Sequence, residues 1–196
     1  MECFIDEMAV AARKDPFEFR RSLLQSKPDH LEVLEKLEQQ SRWKKAQLPR
    51  GTAQGMAIHE SYGTICGQVA EVTVNSDGSV RVNKVTAVVD CGNLVNPMTA
   101  EEQIEGGILF GLTAALNGKL TIENGRVLED NLDTYEIIRM AEAPEIDIHW
   151  ITLSTEHWGG LGEPSTPVIA PAVCNALYKI TGRRIRSLPI RDYYLQ

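Results

Sequence analysis

The chain lacks any apolar run near the roughly 20 residues that cross a bilayer, and its N-terminus has no basic region followed by an apolar one. Long blocks of like charge are also missing. Twenty Lys and Arg stand against 27 Asp and Glu, a formal net charge of -7 spread along the sequence. That balance indicates neither a nucleic-acid surface nor a polybasic membrane patch, so no nucleic-acid partner is expected. The four cysteines, Cys3, Cys66, Cys91 and Cys174, include no CxxC pair. This excludes zinc-knuckle and iron–sulfur spacing and leaves them as mostly buried thiols. The four histidines form no HExxH or comparable pairing, so no protein-ligated metal site is expected. Internal repeats and low-complexity tracts are absent as well. What remains is 196 residues with 43% hydrophobic content, enough to bury a core and short enough to favour one domain.

Residues 1–43 read as a helical segment in three pieces. The first enters a helical pattern at once, with Phe4, Ile5, Met8 and Ala12 on one face and no capping residue before it. So abrupt a start is expected of a cut point inside a longer protein, or of an initiator methionine placed there. Asp15, Pro16 and Glu18 open the second helix, and Leu31, Leu34, Leu37 and Ser41 mark the third. Residues 44–54 read as a polar connector. From Gly55 to Val89 the apolar period becomes two, which predicts a long hairpin turning at "NSDGS"; if the turn sets Val74 opposite Val80, the parity flips of its two strands lie opposite each other. Its apolar parity flips between Val69 and Ala70 and between Val82 and Val85, so the ribbon must pass between two packed layers or bend at a bulge. A second hairpin is expected at Asn124-Gly125 with Ile122 opposite Val127, and a further strand over Ile146, Ile148 and Trp150. Strands and helices are segregated rather than alternating, so the fold class is α+β, with residues 55–196 as its mixed portion.

Two stretches carry candidate chemistry. "NPMTAEEQIEGGILFGLTAALNG" is a helix, with Thr99 and Glu102 as a capping box and Ile104, Ile108 and Leu112 on the apolar face. Gly106, Gly107 and Gly111 nevertheless sit in its interior, each costing about 1 kcal/mol relative to alanine. Something must approach closely: either a ligand along the cleared stripe, hydrogen-bonded by Gln103, or a packed backbone, with Gln103 merely solvated. The second stretch, "GGLGEPSTPVIAPAVCNAL", isolates Glu163 among Gly159, Gly160, Gly162 and Pro164 just before a helix that starts at Thr166 or nearer Pro171 and closes at Gly182. Glu163 either decorates a helix start or is a carboxylate aimed into a site where glycines admit a ligand, suited to general-base work.

Together with "DCGNLVNPMTAEEQIEGGILFGL" and "DEMAVAARKDPFEFR", these residues resemble the C-terminal part of the large subunit of molybdenum hydroxylases. The resemblance is to the isoquinoline 1-oxidoreductase beta-subunit branch in particular, related to aldehyde oxidoreductases and xanthine dehydrogenase. It implies the C-terminal portion of a molybdopterin-binding domain. In the family, the glutamate of Gly-Glu-Pro stands beside molybdenum without ligating it and acts as general base; that role falls to Glu163. The glutamine before Glu-Gly-Gly hydrogen-bonds the pterin; here that is Gln103, and the glycine stripe becomes the place where the pterin lies. The implied cofactor is molybdopterin cytosine dinucleotide with molybdenum. The implied partners are the preceding part of the large subunit, a small [2Fe-2S] subunit and a small-molecule substrate, an N-heteroaromatic or aldehyde oxidised with oxygen from water. The complete protein would work in the bacterial cytoplasm or periplasm. Two other readings stand beside this one: a non-catalytic fragment or split-gene product, and a free-standing small-molecule binding domain.

Expressed alone, the chain is expected to fold at least in part, to self-associate through apolar surface left uncovered, and neither to retain molybdenum nor to hydroxylate N-heterocycles or aldehydes. Metal analysis and a dye-reduction assay on the purified 196-residue protein check this. Stoichiometric molybdenum with turnover would contradict it.

Overall fold

A computed structural model describes residues 1–151, 156–193 and 195. Its centre is a four-stranded sheet. Strands β1 (Thr52–Ser61), β2 (Thr64–Val74) and β3 (Val80–Asp90) form an antiparallel meander, and β6 (Glu145–Trp150) lies parallel to β3, giving the order β1-β2-β3-β6. Between β3 and β6 the chain forms helix α4 (Pro97–Leu116) and a small hairpin, β4 (Ile122–Glu123) with β5 (Arg126–Val127). As the Asn124-Gly125 pair requires, both turn residues have positive φ, and Ile122 faces Val127. Helix α5 (Thr166–Thr181) follows β6 and ends on Gly182 at φ 69°, the left-handed cap that glycine adopts without steric cost. The α+β class expected from segregated strands and helices holds. Among the described residues no helix is long and apolar enough to cross a membrane.

The sheet is buried on both faces, which explains the parity flip on β2. Val69 joins Met56, Ile58, Ile65 and Val88 beneath helices α2 (Pro16–Leu23) and α3 (Pro28–Gln40), while Ala70 and Val72 face α4 and α5. The flip on β3 has a different cause. The register shifts at Glu71/Val72, with Val72 opposite Val82 and Glu71 opposite Lys84, so Asn83 is the extra residue of a bulge and both Val82 and Val85 reach the same face. Val74 pairs with Val80, so the two flips lie across from each other.

Three sequence expectations are corrected. The ribbon expected from Gly55 is three strands rather than two: β1 begins at Thr52, inside the stretch read as a connector, and turns into β2 at Tyr62-Gly63. Helix α1 (Glu2–Ala11) does not bury its Phe4 face. Phe4 is exposed, and Asp6 and Ala9 are the buried residues, because the fully enclosed Arg20 guanidinium draws α1 round to pair with Asp6 Oδ1 at 2.8 Å and Glu2 Oε2 at 3.0 Å. Helix α4 starts before Thr99: Asn96 is its cap, its side chain accepting from the Thr99 N–H, with Pro97 in the first turn.

Candidate functional site

Glu163 and Gln103, far apart in sequence, meet at one cavity of about 520 Å³, a volume suited to a small ligand. Gln103 projects from α4 and donates through Nε2 to the Gly162 carbonyl at 2.9 Å, tying the helix to the residue before Glu163. An amide so engaged still has a second N–H and a carbonyl oxygen to offer. Gly106, Phe110, Ser61 and Tyr62 complete much of the wall. The Ser61 hydroxyl is buried there without a protein partner.

The loop bearing Glu163 is held by the start of α5, whose first residue is Thr166; Pro171 is carried inside the helix. The Thr166 N–H bonds back to the Glu163 carbonyl at 3.0 Å. Ser165, fully buried, is gripped from two sides: Gln68 Nε2 on β2 donates to its carbonyl at 2.7 Å, and its own hydroxyl donates to the Ile104 carbonyl of α4 at 3.1 Å. The segment that aims Glu163 is thus fastened to both sheet and helix.

The glycines of α4 divide between the two explanations that spacing left open. A Cβ on Gly111 would lie 2.2 Å from the Thr166 carbonyl oxygen, and one on Gly107 2.1 Å from Ser165 Oγ. These two permit α4 and α5 to pack closely, so the stripe as a whole is not a ligand channel. Gly106 and Gly107 both border the cavity, but of the three only Gly106 has nothing within 4 Å of its Cβ position. The loop glycines divide in the same way. Gly159 and Gly160 press against the Tyr62-Gly63 turn, where a Cβ on Gly159 would lie 2.2 Å from Thr64 Oγ1, whereas Gly162 borders the cavity with nothing within 4 Å.

A residue that sequence reasoning missed completes the cluster. The Tyr62 hydroxyl donates to Glu163 Oε2 at 2.7 Å, across a separation of 101 residues. Glu163, Gln103 and Tyr62 are all exposed, so the site is an open wall rather than an enclosed chamber.

An α+β scaffold thus sets a carboxylate loop and an amide-bearing helix around one cavity. The chain belongs to the molybdopterin cofactor-binding domain family, whose model matches residues 7–144. That match includes Gln103 and ends before Glu163. Over 97% of its length the chain is 38% identical to a membrane-bound aldehyde dehydrogenase (pyrroloquinoline-quinone) of Gluconacetobacter polyoxogenes, of which it covers 27%. It is 31% identical over its whole length to the beta subunit of isoquinoline 1-oxidoreductase from Brevundimonas diminuta, covering 25% of that protein. Among solved structures, quinoline 2-oxidoreductase of Pseudomonas putida 86 superposes with a TM-score of 0.59 and 27% identity, over 65% of this chain and 17% of that one. The chain therefore spans about a quarter of the length of these two curated relatives. Further relatives, at 32% identity, are named as the molybdenum-binding subunits of an aldehyde oxidoreductase and a xanthine dehydrogenase of Escherichia coli.

The glycine division is tested by paired alanine substitutions. Gly106→Ala should leave the fold intact and raise stability by up to about 1 kcal/mol, the helix propensity difference. Gly111→Ala should lower it by about 1 to 3 kcal/mol, because the Cβ meets backbone that cannot rotate away. Urea denaturation of both variants reads the opposite signs.

Proposed function

We propose that the chain forms the base-bearing wall of a molybdenum hydroxylase that oxidises an aldehyde or N-heteroaromatic carbon with water as oxygen source. The observation that carries this reading is the Gln103–Gly162 hydrogen bond, which brings together across one cavity the two residues that the family resemblance singles out independently. Membership of the molybdopterin-binding family implies a molybdenum cofactor, here taken in its cytosine dinucleotide form.

The residues present fit such a group. A flat, hydrogen-bonding ring system suits a wall where Gly106 and Gly162 present backbone with no side chain, Gln103 has spare amide capacity, and the buried Ser61 hydroxyl lacks a partner. Gln103 would hold the pterin edge. When bound, the cofactor supplies the two-electron oxidant for the reaction. Glu163 contributes the proton acceptor: its carboxylate takes up the proton of the water-derived nucleophile as that oxygen attacks the substrate carbon. The bond from Gln103 to the Gly162 carbonyl ties the loop that carries this carboxylate to α4, so the same amide would serve both the carboxylate loop and a bound pterin.

Electrons would leave through a separate [2Fe-2S] subunit, since the four cysteines here have no cluster spacing. The isoquinoline 1-oxidoreductase and nicotinate dehydrogenase relatives are each named as one subunit of a larger enzyme, which supports a multi-subunit assembly. The remainder of the large subunit would supply the rest of the cofactor site and the substrate pocket.

In the complete enzyme, Glu163→Gln should leave molybdenum content intact and cut turnover by orders of magnitude, because it removes the base and keeps the shape. Gln103→Ala should instead lower molybdenum retained after dialysis. Near-normal turnover of a fully loaded Glu163→Gln enzyme would sink the base assignment. Recovery of a bound quinone in place of molybdenum would favour the chemistry named for the Gluconacetobacter relative.

A further inference from the structure

The β1–β2 turn is built from an unusual residue. Tyr62 and Gly63 form a two-residue connection between Ser61 and Thr64, with φ of 53° and 71°. Positive φ at both positions marks a type I′ turn, whose first place ordinarily falls to Asn, Asp or Gly. A bulky aromatic held in the left-handed region costs free energy and persists only where its surroundings enforce it.

Those surroundings belong to the loop that carries Glu163. The Gly160 N–H donates to the Tyr62 carbonyl at 2.9 Å, Thr64 Oγ1 donates to the Gly160 carbonyl at 2.8 Å, and His157 Nε2 lies 2.5 Å from the Gly63 carbonyl. Gly159 and Gly160 allow this contact, since a Cβ on Gly159 would strike Thr64 Oγ1 and the Gly63 carbonyl. Turn and loop are one unit, and it sets side chain against side chain, Tyr62 hydroxyl to Glu163 Oε2 at 2.7 Å. Tyr62 is 67% exposed, so packing does not account for the placement of its ring.

We propose that Tyr62 is the positioning residue of this site, its phenol holding carboxylate oxygen Oε2 of Glu163 and leaving Oε1 to receive the proton; the proposal rests on the reading of Glu163 as the base. A carboxylate on a glycine-flanked loop has several rotamers open to it, and a hydrogen bond to one oxygen removes most of them. The bond also requires a protonated phenol. Its hydrogen bond to Glu163, and then that carboxylate's negative charge, hold the Tyr62 phenol above the ordinary tyrosine range. The folded-state value being raised, the donor is present throughout neutral pH and is lost only as pH rises through that raised value.

The test uses the complete molybdenum-loaded enzyme. Tyr62→Phe should lower kcat by about tenfold or more, the size expected for loss of a hydrogen bond to a charged group. KM, molybdenum content and Tm should stay as in the wild type. In a Glu163→Gln background the same change should cost nothing further, because Tyr62 acts only through Glu163. Fluorinated tyrosine at position 62 keeps the donor and lowers its pKa. It should therefore restore kcat at low pH and lose it as pH rises through the lowered phenol value, a dependence that Tyr62→Phe does not show. Wild-type kcat in Tyr62→Phe, an equal loss in both backgrounds, or an unchanged alkaline limb with fluorotyrosine would each overturn the proposal. Full activity of Tyr62→Phe beside an inactive Glu163→Gln rejects Tyr62 alone, whereas a fully active Glu163→Gln rejects the base assignment and this proposal with it.

Discussion

Helix α5 can lie against the sheet and against α4 only where side chains are missing, and the site depends on that constraint. A Cβ on Gly55 of β1 would sit 2.2 Å from the Ala172 carbonyl oxygen and 2.3 Å from the Ala176 nitrogen, and one on Gly111 of α4 would sit 2.2 Å from the Thr166 carbonyl. Backbone packed on backbone with no side chain between them fixes depth and leaves little room to slide. Buried polar groups then fix position along the axis. Asn175 of α5 donates to the Met56 carbonyl of β1 at 3.1 Å, Gln68 of β2 to the Ser165 carbonyl, and Ser165 to the Ile104 carbonyl. Such groups are costly to leave unpaired in a core, so they penalise every other register. The N-terminal end of α5, and Glu163 just before it, inherits a defined place relative to Gln103.

The opposite layer solves a different problem. Helices α2 and α3 cover the other face of the sheet with Phe17, Val33, Leu34 and Leu37, but the junction with α1 is ionic. The Arg20 guanidinium is enclosed and satisfied by Glu2, Asp6 and the carbonyls of Pro16, Glu2 and Met56. A buried pair of this kind adds little net stability over apolar packing, yet removing one partner strands a charge. Its effect is on orientation: it decides which side of α1 faces inward, overriding an apolar pattern that pointed elsewhere.

That override marks the boundary of what could be read from the sequence. Hairpin register was partly legible because apolar parity is a period-two signal and a one-residue slip would expose it: with Val74 taken opposite Val80, the flips on the two strands line up, and that is the register observed. The Asn124-Gly125 turn was legible from its residue pair. The Tyr62-Gly63 turn was not, because Tyr is an uncommon occupant, and so β1 merged with its neighbour. In the glycine-rich helix, spacing announced a close approach but could not say by what. Packing against the start of α5 claims Gly107 and Gly111, although Gly107 also borders the cavity, and leaves Gly106 open to it, a distinction set by the position of α5 and not by α4's own residues. The contact between Tyr62 and Glu163 spans 101 residues and has no local signature at all.

An exposed site works against its own chemistry. Water competes for every hydrogen bond that Gln103, Tyr62 and Glu163 can make, and its high dielectric weakens the field any of them exerts on a reacting group. The same face carries Phe110 at 73% exposure, lining the cavity, and Trp158 at 63%, lining the neighbouring depression that also touches Gln103. Aromatic surface of this size gains most from leaving water, at roughly 25 cal/mol for each Å² covered. Covering this face would therefore do two things at once: bury the aromatic rim and dry the carboxylate's surroundings. Drying strengthens the electrostatic terms on which proton transfer depends. The rigid part of the arrangement, Glu163 and Gln103 fastened through α5 and α4, is already present in this chain without such a cover. Placement of the carboxylate and exclusion of water are thus separable tasks, and the fold accomplishes the first.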